Sequence, residues 1–355
     1  MTPHWFDLTP DQRVTAVKAL GLPAYRADQI SRHVFERFEC DPTKYTDLPL
    51  ADRQLLSDLL APVVTPVDTR QSDGGRTIKT AWRCADGAVI ESVLMRYPHR
   101  DTVCISSQAG CGMGCPFCAT GQGGLQRNLS VAEIVAQVWQ AAAVLGGRVG
   151  NVVMMGMGEP MVNYRRVIAA VRTITQPPPG GMGISARSVT ISTVGIVPGI
   201  ERLATEGLPL TLAVSLHAPN DELRDELVPA NRHYPVAAVL DAAWQYARIT
   251  KRRVSVEYAL IKDVNDHLVY ADELAAQLRR RGDWTWAHVN LIPLNPTEGS
   301  KWTASSERQQ AAFVKRLEKA GLPVTIRDTR GRDIDGACGQ LAAQQPTNRP
   351  TLLTK

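Results

Sequence analysis

The feature that most constrains the fold of this chain is a regular alternation of helix-like and strand-like segments after residue 130. Stretches with helical spacing of apolar residues lie near residues 131–145, 164–174, 199–206, 236–249, 268–281 and 305–320. Between them lie the short apolar or β-branched runs NVVMMG, SVTIST, LTLAVS, VSVEYALI, HVNLIP and VTIRD. This alternation predicts a parallel sheet with helices outside it. Six βα units and a final strand are fewer than a closed barrel needs, so we predict an α/β fold with an incomplete, open (βα)6-type barrel.

The first hundred residues have a different pattern. Thr9 caps a helix that begins at Pro10, and we predict two further helices over 26–38 and 48–60. From residue 76 the apolar period changes to two, and Asp86-Gly87 supplies a hairpin turn before a strand over AVIESVLM and another over 102–107. We therefore expect an N-terminal helical accessory domain (1–62), a β-hairpin extension (63–100), the partial barrel (101–342) and a flexible C-terminal tail (343–355).

Composition excludes some classes of protein. The chain has 355 residues, of which 44% are hydrophobic and 21% charged, and it contains no apolar run long enough to span a membrane. The start MTPHWFDLTPDQR lacks the basic and apolar stretches of a secretion signal, so we expect a cytoplasmic protein without membrane association. The net charge of +5 is mild, but it includes three basic clusters that contact either solvent or phosphate: Lys251-Arg252-Arg253, Arg279-Arg280-Arg281, and Arg327 with Arg330 and Arg332.

Three of the seven cysteines lie within eight residues, in Cys111-Gly-Met-Gly-Cys115-Pro-Phe-Cys118. In a cytoplasmic protein such spacing indicates metal or redox chemistry and not a disulfide framework. Thiolates suit iron–sulfur clusters or zinc, and a structural zinc site normally needs four ligands. Three ligands on a four-iron cluster leave one iron open to a substrate. A zinc site completed by a distant ligand, or free thiols, remain the alternatives.

Other polar residues lie where predicted strands end, which is where barrels of this class place their chemistry. Gly158-Glu159 follows NVVMMG, and Glu159 is suited to pair with a cationic amino group. Further candidates at strand ends are Ser192, Ser215, Leu216, His217 and Asn295. Cys338 lies between Ala337 and Gly339 beyond the last strand, and barrel closure would bring it towards Cys104 on the first barrel strand. Each of these side chains, taken alone, also fits a purely structural role.

The cysteine spacing, with an aromatic residue at Phe117, resembles that of the radical S-adenosylmethionine superfamily. Nearly the whole chain resembles the bacterial dual-specificity rRNA/tRNA adenine-C2 methyltransferases (RlmN family). The resemblance runs from RADQI through VCISSQAGCGMGCPFCATG, MMGMGEPMVNY, TISTVGIVPGI, SLHAPNDELRDELVPAN and HVNLIPLNP to DIDGACGQL. It departs at Gly336, where the family pattern has Ala, and we expect this glycine to loosen the loop.

The resemblance implies a [4Fe–4S] cluster, one per chain, on Cys111, Cys115 and Cys118, and two S-adenosylmethionine molecules per turnover. The strand-end candidates from Gly158 to Asn295 would bind S-adenosylmethionine. Cys338 would carry the methyl group, Cys104 would form a disulfide with Cys338 to release the product, and Glu91 would accept a proton. The implied products are 2-methyladenosine in the peptidyl-transferase centre of 23S rRNA and at the tRNA adenosine 3′ of the anticodon.

The resemblance also implies an electron donor such as flavodoxin or ferredoxin, and we expect a monomer. Two other functions stay open. The antibiotic-resistance relatives methylate adenine C8 with the same cysteines, although Pro160, Ala218 and Pro293-Leu294 look like those of the C2 enzymes. A non-catalytic, metal-bound RNA-binding module is the other alternative, but it would leave Cys104 and Cys338 without a role.

Overall fold

The computed structural model describes residues 3–282, 286–297, 300–327 and 330–342. The tail predicted over 343–355 lies outside these residues. No helix within the described ranges combines the length and the apolar character that a membrane span requires.

The described residues form α-helices and β-strands that alternate along most of the chain. The helices are α1 (Pro10–Ala19), α2 (Arg26–Phe35), α3 (Leu50–Gln54), α4 (Ala119–Gln122), α5 (Val131–Leu145), α6 (Tyr164–Thr175), α7 (Val197–Ala204), α8 (Asp221–Leu227), α9 (Val236–Thr250), α10 (Leu268–Arg279) and α11 (Glu307–Lys319). The strands are β1 (Val64–Ser72), β2 (Thr77–Cys84), β3 (Val89–Tyr97), β4 (Arg100–Cys104), β5 (Gln108–Gly110), β6 (Leu125–Asn128), β7 (Asn151–Met154), β8 (Val189–Thr193), β9 (Thr211–Ser215), β10 (Val254–Leu260), β11 (Ala287–Pro293) and β12 (Val324–Ile326).

Ten of these strands form one sheet in the order β1-β2-β3-β4-β7-β8-β9-β10-β11-β12. The pairs from β4 through β12 are all parallel, whereas β1 to β4 pair antiparallel. The parallel part therefore has seven strands joined by helical connections, and the predicted α/β fold with an open barrel is confirmed. Strands β5 and β6 form a separate hairpin between β4 and α5.

The barrel helices begin and end close to their predicted positions because their apolar period and their caps agree. Ser130 and Glu133 form a capping box at the start of α5, and Thr9 and Gln12 form one at the start of α1. The third N-terminal helix was predicted too long. It ends at Gln54, and the chain continues in turns, in which the Leu60 N–H donates to the Leu56 carbonyl oxygen (3.1 Å).

The structure contains a strand that the sequence does not predict, β1, and the strand after the hairpin begins and ends earlier than predicted. Strand β1 is an outer strand with mostly exposed side chains, and its register against β2 shifts between Pro66 and Asp68. Proline lacks an N–H group and is tolerated in a strand only at an edge or a bulge. With Pro66 and mostly exposed polar residues, β1 shows no alternation of apolar and polar residues in the sequence. The following strand, β4, spans Arg100–Cys104 and not 102–107.

The N-terminal helices pack directly on the barrel. Residues from both regions belong to one hydrophobic core. The Trp139 indole on α5 donates a hydrogen bond of 2.7 Å to the carbonyl oxygen of Val34 on α2, and the Asp7 carboxylate accepts one of 2.8 Å from the Ala132 N–H. These polar contacts fix the helical region against α5.

Candidate active site

The cysteine loop is held in a tight conformation between β5 and α4. Gly114 has φ +66°, and Gly121 lies so close to the loop that a Cβ there would be 2.9 Å from the Cys115 carbonyl oxygen. The loop must therefore have a residue without a side chain at this point of α4. Cys111, Cys115 and Cys118 all line one open cavity. Burial raises the pKa of Cys111 to about 11, so in the absence of a ligand the buried thiol is the favoured form.

The donor set fits a cluster better than a single ion. Among the described residues, Cys84, Asp86 and Glu133 form a group of three possible metal ligands whose ligand atoms lie within 4.8 Å of one another. This group contains none of the loop cysteines. The Arg127 guanidinium forms an ion pair with one of these ligands, the Glu133 carboxylate, at 2.8 Å. Three thiolates that bind different irons of one cluster need not converge on one point, which matches the arrangement of the loop cysteines.

The turn after β7 brings Gly158 and Glu159 to the same cavity. Gly158 has φ +98°, and a Cβ there would be 2.5 Å from the side chain of Gln108, so the turn requires glycine. The buried Glu159 carboxylate accepts hydrogen bonds from the backbone N–H groups of Met161 (3.0 Å) and Val194 (2.9 Å). Burial nevertheless raises its pKa to about 7. This carboxyl group is therefore poised to ionise when a cation binds next to it.

The other strand-end candidates surround this cavity, with one exception. Ser192, Ser215, His217 and Asn295 line it, and the Ser192 and Ser215 hydroxyl oxygens are 3.3 Å apart. Leu216 does not line it, because its buried side chain points into the core.

His217 has a defined proton arrangement. Its Nδ1 accepts a hydrogen bond of 3.0 Å from the Ala259 N–H, and burial, with Arg224 adding to the effect, lowers its pKa to about 3. The neutral ring therefore carries its hydrogen on Nε2 and can donate from there.

The segment after β12, residues 330–342, places Cys338 beside Cys104. Cys338 lines the large cavity and also a smaller one, which Cys104 lines as well. The Asn295 amide donates to the Cys338 carbonyl oxygen (3.1 Å), and the Ala119 N–H at the start of α4 donates to the Gly339 carbonyl oxygen (2.8 Å). The segment thus links the cysteine loop, the β11 end and Cys104, and all seven cysteines are free thiols.

Glu91 does not line either cavity. Its buried carboxylate on β3 lies 3.0 Å from Nζ of Lys79 on β2 and accepts a hydrogen bond of 3.1 Å from the Ala342 N–H. Lys79 also donates to the Asp335 carbonyl oxygen (3.1 Å). The Lys79–Glu91 pair therefore contacts the Cys338 segment on both sides of the cysteine.

The glycine at position 336 is not required for space or for backbone conformation. Its φ is outside the left-handed region, and a Cβ there would meet its nearest neighbour, the Gly331 carbonyl oxygen, at 3.4 Å. An alanine would fit with ordinary van der Waals contacts, so the departure from the family pattern is sterically neutral.

Two charged residues that the sequence patterns do not mark as site residues, Glu257 and Arg327, also line the cavity. Glu257 lies on the largely apolar strand β10. A carboxylate within an apolar strand was the sequence feature that could have marked it as a candidate site residue. Arg327 belongs to the basic cluster predicted to contact either solvent or phosphate, but its side chain lines the cavity. The other clusters also contain structural side chains: Arg252 donates to the Thr211 hydroxyl (2.9 Å), and the buried Arg281 pairs with Asp241 (2.7 Å).

Comparison with known proteins agrees with this geometry. Residues 105–275 match the family model of the Radical SAM superfamily. The chain is 61% identical to a protein named "Probable dual-specificity RNA methyltransferase RlmN" from Cutibacterium acnes, over 96% of this chain and 88% of that protein. A protein of the same name from Nocardioides sp. is 59% identical over 96% and 93% of the two chains.

A solved structure extends the agreement to three dimensions. The crystal structure of a radical SAM methyltransferase from Sphaerobacter thermophilus superposes with a TM-score of 0.92 at 46% identity, covering 96% of this chain and 99% of that chain. Sequence and fold agree over nearly the whole length. The chain therefore belongs to the RlmN family of radical SAM RNA methyltransferases.

Proposed function

We propose that this enzyme forms 2-methyladenosine in 23S rRNA and in tRNA, at the adenosine 3′ of the anticodon. The observation that carries the proposal is that Cys338 lines both cavities, one shared with the cluster cysteines and the other with Cys104. A residue in this position can carry a group between two compartments of one site. The relatives named RlmN are described as dual-specificity RNA methyltransferases, which supports two RNA substrates.

Cys111, Cys115 and Cys118 would hold one [4Fe–4S] cluster per chain, and two S-adenosylmethionine molecules would be used per turnover. When bound, these groups supply a methyl group and radical chemistry that reaches an unreactive ring carbon. Glu159 would pair with the amino group of S-adenosylmethionine, and Gly158, Ser192, Ser215, Leu216, His217 and Asn295 would complete its binding site. Leu216 would contribute through its backbone, since its side chain is in the core.

Three residues of the chain would take part directly in methyl transfer. Cys338 would carry the methyl carbon to the adenine as a thioether. Cys104 would close a disulfide with Cys338 as the methylated base leaves, and this disulfide must be reduced to two thiols before the next turnover. An electron donor such as flavodoxin or ferredoxin would supply the electron for the radical chemistry. Glu91 would accept the proton from C2, which requires the base to reach β3 behind the Cys338 segment.

The RNA must bring an adenine into this cavity, and unpaired loop nucleotides are the least costly to unstack. The helical region over 1–62 is our candidate for an RNA-binding accessory domain, beside the hairpin extension over 63–100 and the barrel over 101–342. Cytoplasmic location and a monomeric state stay predictions.

Anaerobic turnover with reconstituted cluster, S-adenosylmethionine and protein-free rRNA or tRNA tests the proposal, with mass spectrometry of the digested nucleosides. We expect 2-methyladenosine from the parent and from the matched control Cys40→Ala, a cysteine outside both cavities, and none from Cys338→Ala. 8-Methyladenosine would instead favour the C8 reaction. A colourless protein that does not cleave S-adenosylmethionine would favour a metal-bound RNA-binding module.

A further inference from the structure

Arg224 on α8 is a fully buried cation that takes no part in the proposed chemistry. It lies in the acidic stretch DELRDEL. Within the described ranges, however, its guanidinium donates to carbonyl and amide oxygens and not to carboxylates. Burying a cation among neutral groups costs free energy, which indicates that the groups it holds are important.

The guanidinium of Arg224 joins the ends of two neighbouring strands. Its Nε donates to the Leu216 carbonyl oxygen (2.9 Å), and its Nη2 donates to the carbonyl oxygens of Ser215 (3.2 Å) and Val194. Val194 directly follows β8, and Ser215 is the last residue of β9. Because the donors of arginine have fixed directions in one plane, this side chain sets the position of one strand end relative to the other.

The remaining donors of Arg224 fix the guanidinium itself. Nη1 donates to the Asn231 amide oxygen (2.9 Å) and to the Tyr234 carbonyl oxygen (3.2 Å). The Asn231 amide in turn donates to the Asp225 carboxylate (2.7 Å). All five N–H donors of the guanidinium are therefore used, and Arg224 lines neither cavity. It has no donor left for a ligand.

The two strand ends that Arg224 joins carry groups that meet in the large cavity. The Val194 N–H donates to the Glu159 carboxylate (2.9 Å), while the Val194 carbonyl oxygen accepts from Arg224. Ser215 and His217 line the cavity. His217 has φ +61°, a left-handed conformation that a residue with a side chain keeps only when its surroundings hold it.

Asn265 holds the same segment from the opposite side. Its buried amide donates to the carbonyl oxygens of His217 (2.8 Å) and Ala259 (2.6 Å), and it also lines neither cavity. The Leu216 N–H donates to the Glu257 carbonyl oxygen on β10 (3.0 Å). Residues 215–217 are therefore held between Arg224 on one side and β10 with Asn265 on the other.

We propose that Arg224 is a positioning residue that presets the ends of β8 and β9, so that Glu159, Ser215 and His217 can bind one S-adenosylmethionine molecule without rearrangement. Groups that are already ordered bind a ligand more tightly, because less freedom is lost on binding. The inference rests on the proposed function in taking these three residues as cofactor-binding residues.

The test compares the parent with Arg224→Lys, which keeps the charge but has a single ammonium group that cannot reach both strand ends. Equilibrium dialysis measures the Kd for S-adenosylmethionine in anaerobic protein of matched cluster content, without a reductant. We expect the Kd to rise by about tenfold, as loss of a residue that orients ligand-binding groups typically causes. Hydrogen exchange in the cofactor-free protein should become faster in peptides covering 211–217.

Arg13→Lys is the matched control. Arg13 is also buried, lies outside both cavities and donates to backbone carbonyl oxygens, those of Trp5 (3.2 Å) and Gly180 (2.6 Å). Its replacement should lower the Tm but leave both the Kd and the exchange in 211–217 unchanged. If Arg224→Lys fails to fold, Asn265→Ala removes the support on the opposite side and should raise the Kd in the same way.

An equal Kd for Arg224→Lys and the parent would overturn the proposal. An equal rise in Arg13→Lys would also overturn it, because general destabilisation would then explain the loss. A parent that binds no S-adenosylmethionine would instead contradict the proposed function, and the exchange measurement would still decide whether Arg224 holds the two strand ends.

Discussion

At the scale of single residues, the site combines groups whose charges are controlled by burial. Glu159, His217 and Cys104 are all buried, and burial moves the pKa of each towards its neutral form. Each group therefore becomes charged only when a partner arrives or is already in place. For Glu159 that partner would be a cationic cofactor. Cys104 stays a neutral thiol, because its pKa is about 12 even with Arg327 nearby.

Glu159→Gln should alter how the stability of the cluster-free chain depends on pH. Burial raises the pKa of Glu159 from 4.5 to about 7, so its contribution to stability is fully present below pH 4.5 and is lost as the pH rises through 7. Glutamine cannot ionise. The Tm of the variant minus that of the parent should therefore increase by a few degrees between pH 5 and pH 8 in calorimetry. A difference that stays constant with pH would contradict the burial argument.

At the scale of elements, the hairpin strands and the C-terminal segment act together. Lys79 on β2 and Glu91 on β3 contact the Cys338 segment at Asp335 and Ala342. The Thr120 hydroxyl on α4 also donates to the Leu341 carbonyl oxygen. An antiparallel extension at one edge of a parallel sheet thereby positions the segment that follows the last strand at the other edge.

Lys79→Met should loosen the Cys338 segment and destabilise the chain. It leaves the Glu91 carboxylate buried without its partner, and breaking a buried pair in this way costs about 3 kcal/mol. Urea denaturation measures the loss, and hydrogen exchange should show faster exchange in peptides covering 331–342.

Arg316→Met is the matched control, because it removes an exposed ion pair with Asp272 that contributes little to stability. Unchanged exchange in 331–342 for Lys79→Met would mean that the pair does not hold the segment.

At the scale of the whole molecule, the helical N-terminal region and the barrel share one hydrophobic core. Phe6 lies 6.1 Å from the Trp139 ring, and the Arg13 guanidinium donates to the Gly180 carbonyl oxygen (2.6 Å). Such packing favours cooperative unfolding of both regions, even though their sequence patterns differ.

Trp139→Ala should lower the free energy of unfolding by about 3 kcal/mol or more, because it creates a cavity between the two regions. Calorimetry should show one transition in the parent. Trp244→Ala on α9, a half-buried tryptophan stacked with Arg248, should cost less. Two separate transitions in the parent would show that the N-terminal region unfolds by itself.

The helices and strands of the barrel could be predicted because their apolar period repeats over whole elements. The hairpin turn at Asp86-Gly87 and the cap of α1 were equally local signals. Strand β1 could not be predicted, because an edge strand with exposed polar residues and a proline has no period of its own.

The sequence by itself determined the open α/β barrel, the three-cysteine loop and the strand ends at which the candidate site residues lie, since each depends on local spacing. Only the tertiary structure decided that Cys338 meets Cys104, that Glu91 is paired with Lys79 outside the cavities, and that Arg327 points inward. These relations join residues far apart in the chain. They depend on how the segment after β12 packs against the first strands of the sheet. Local sequence spacing does not predict contacts between residues so far apart in the chain.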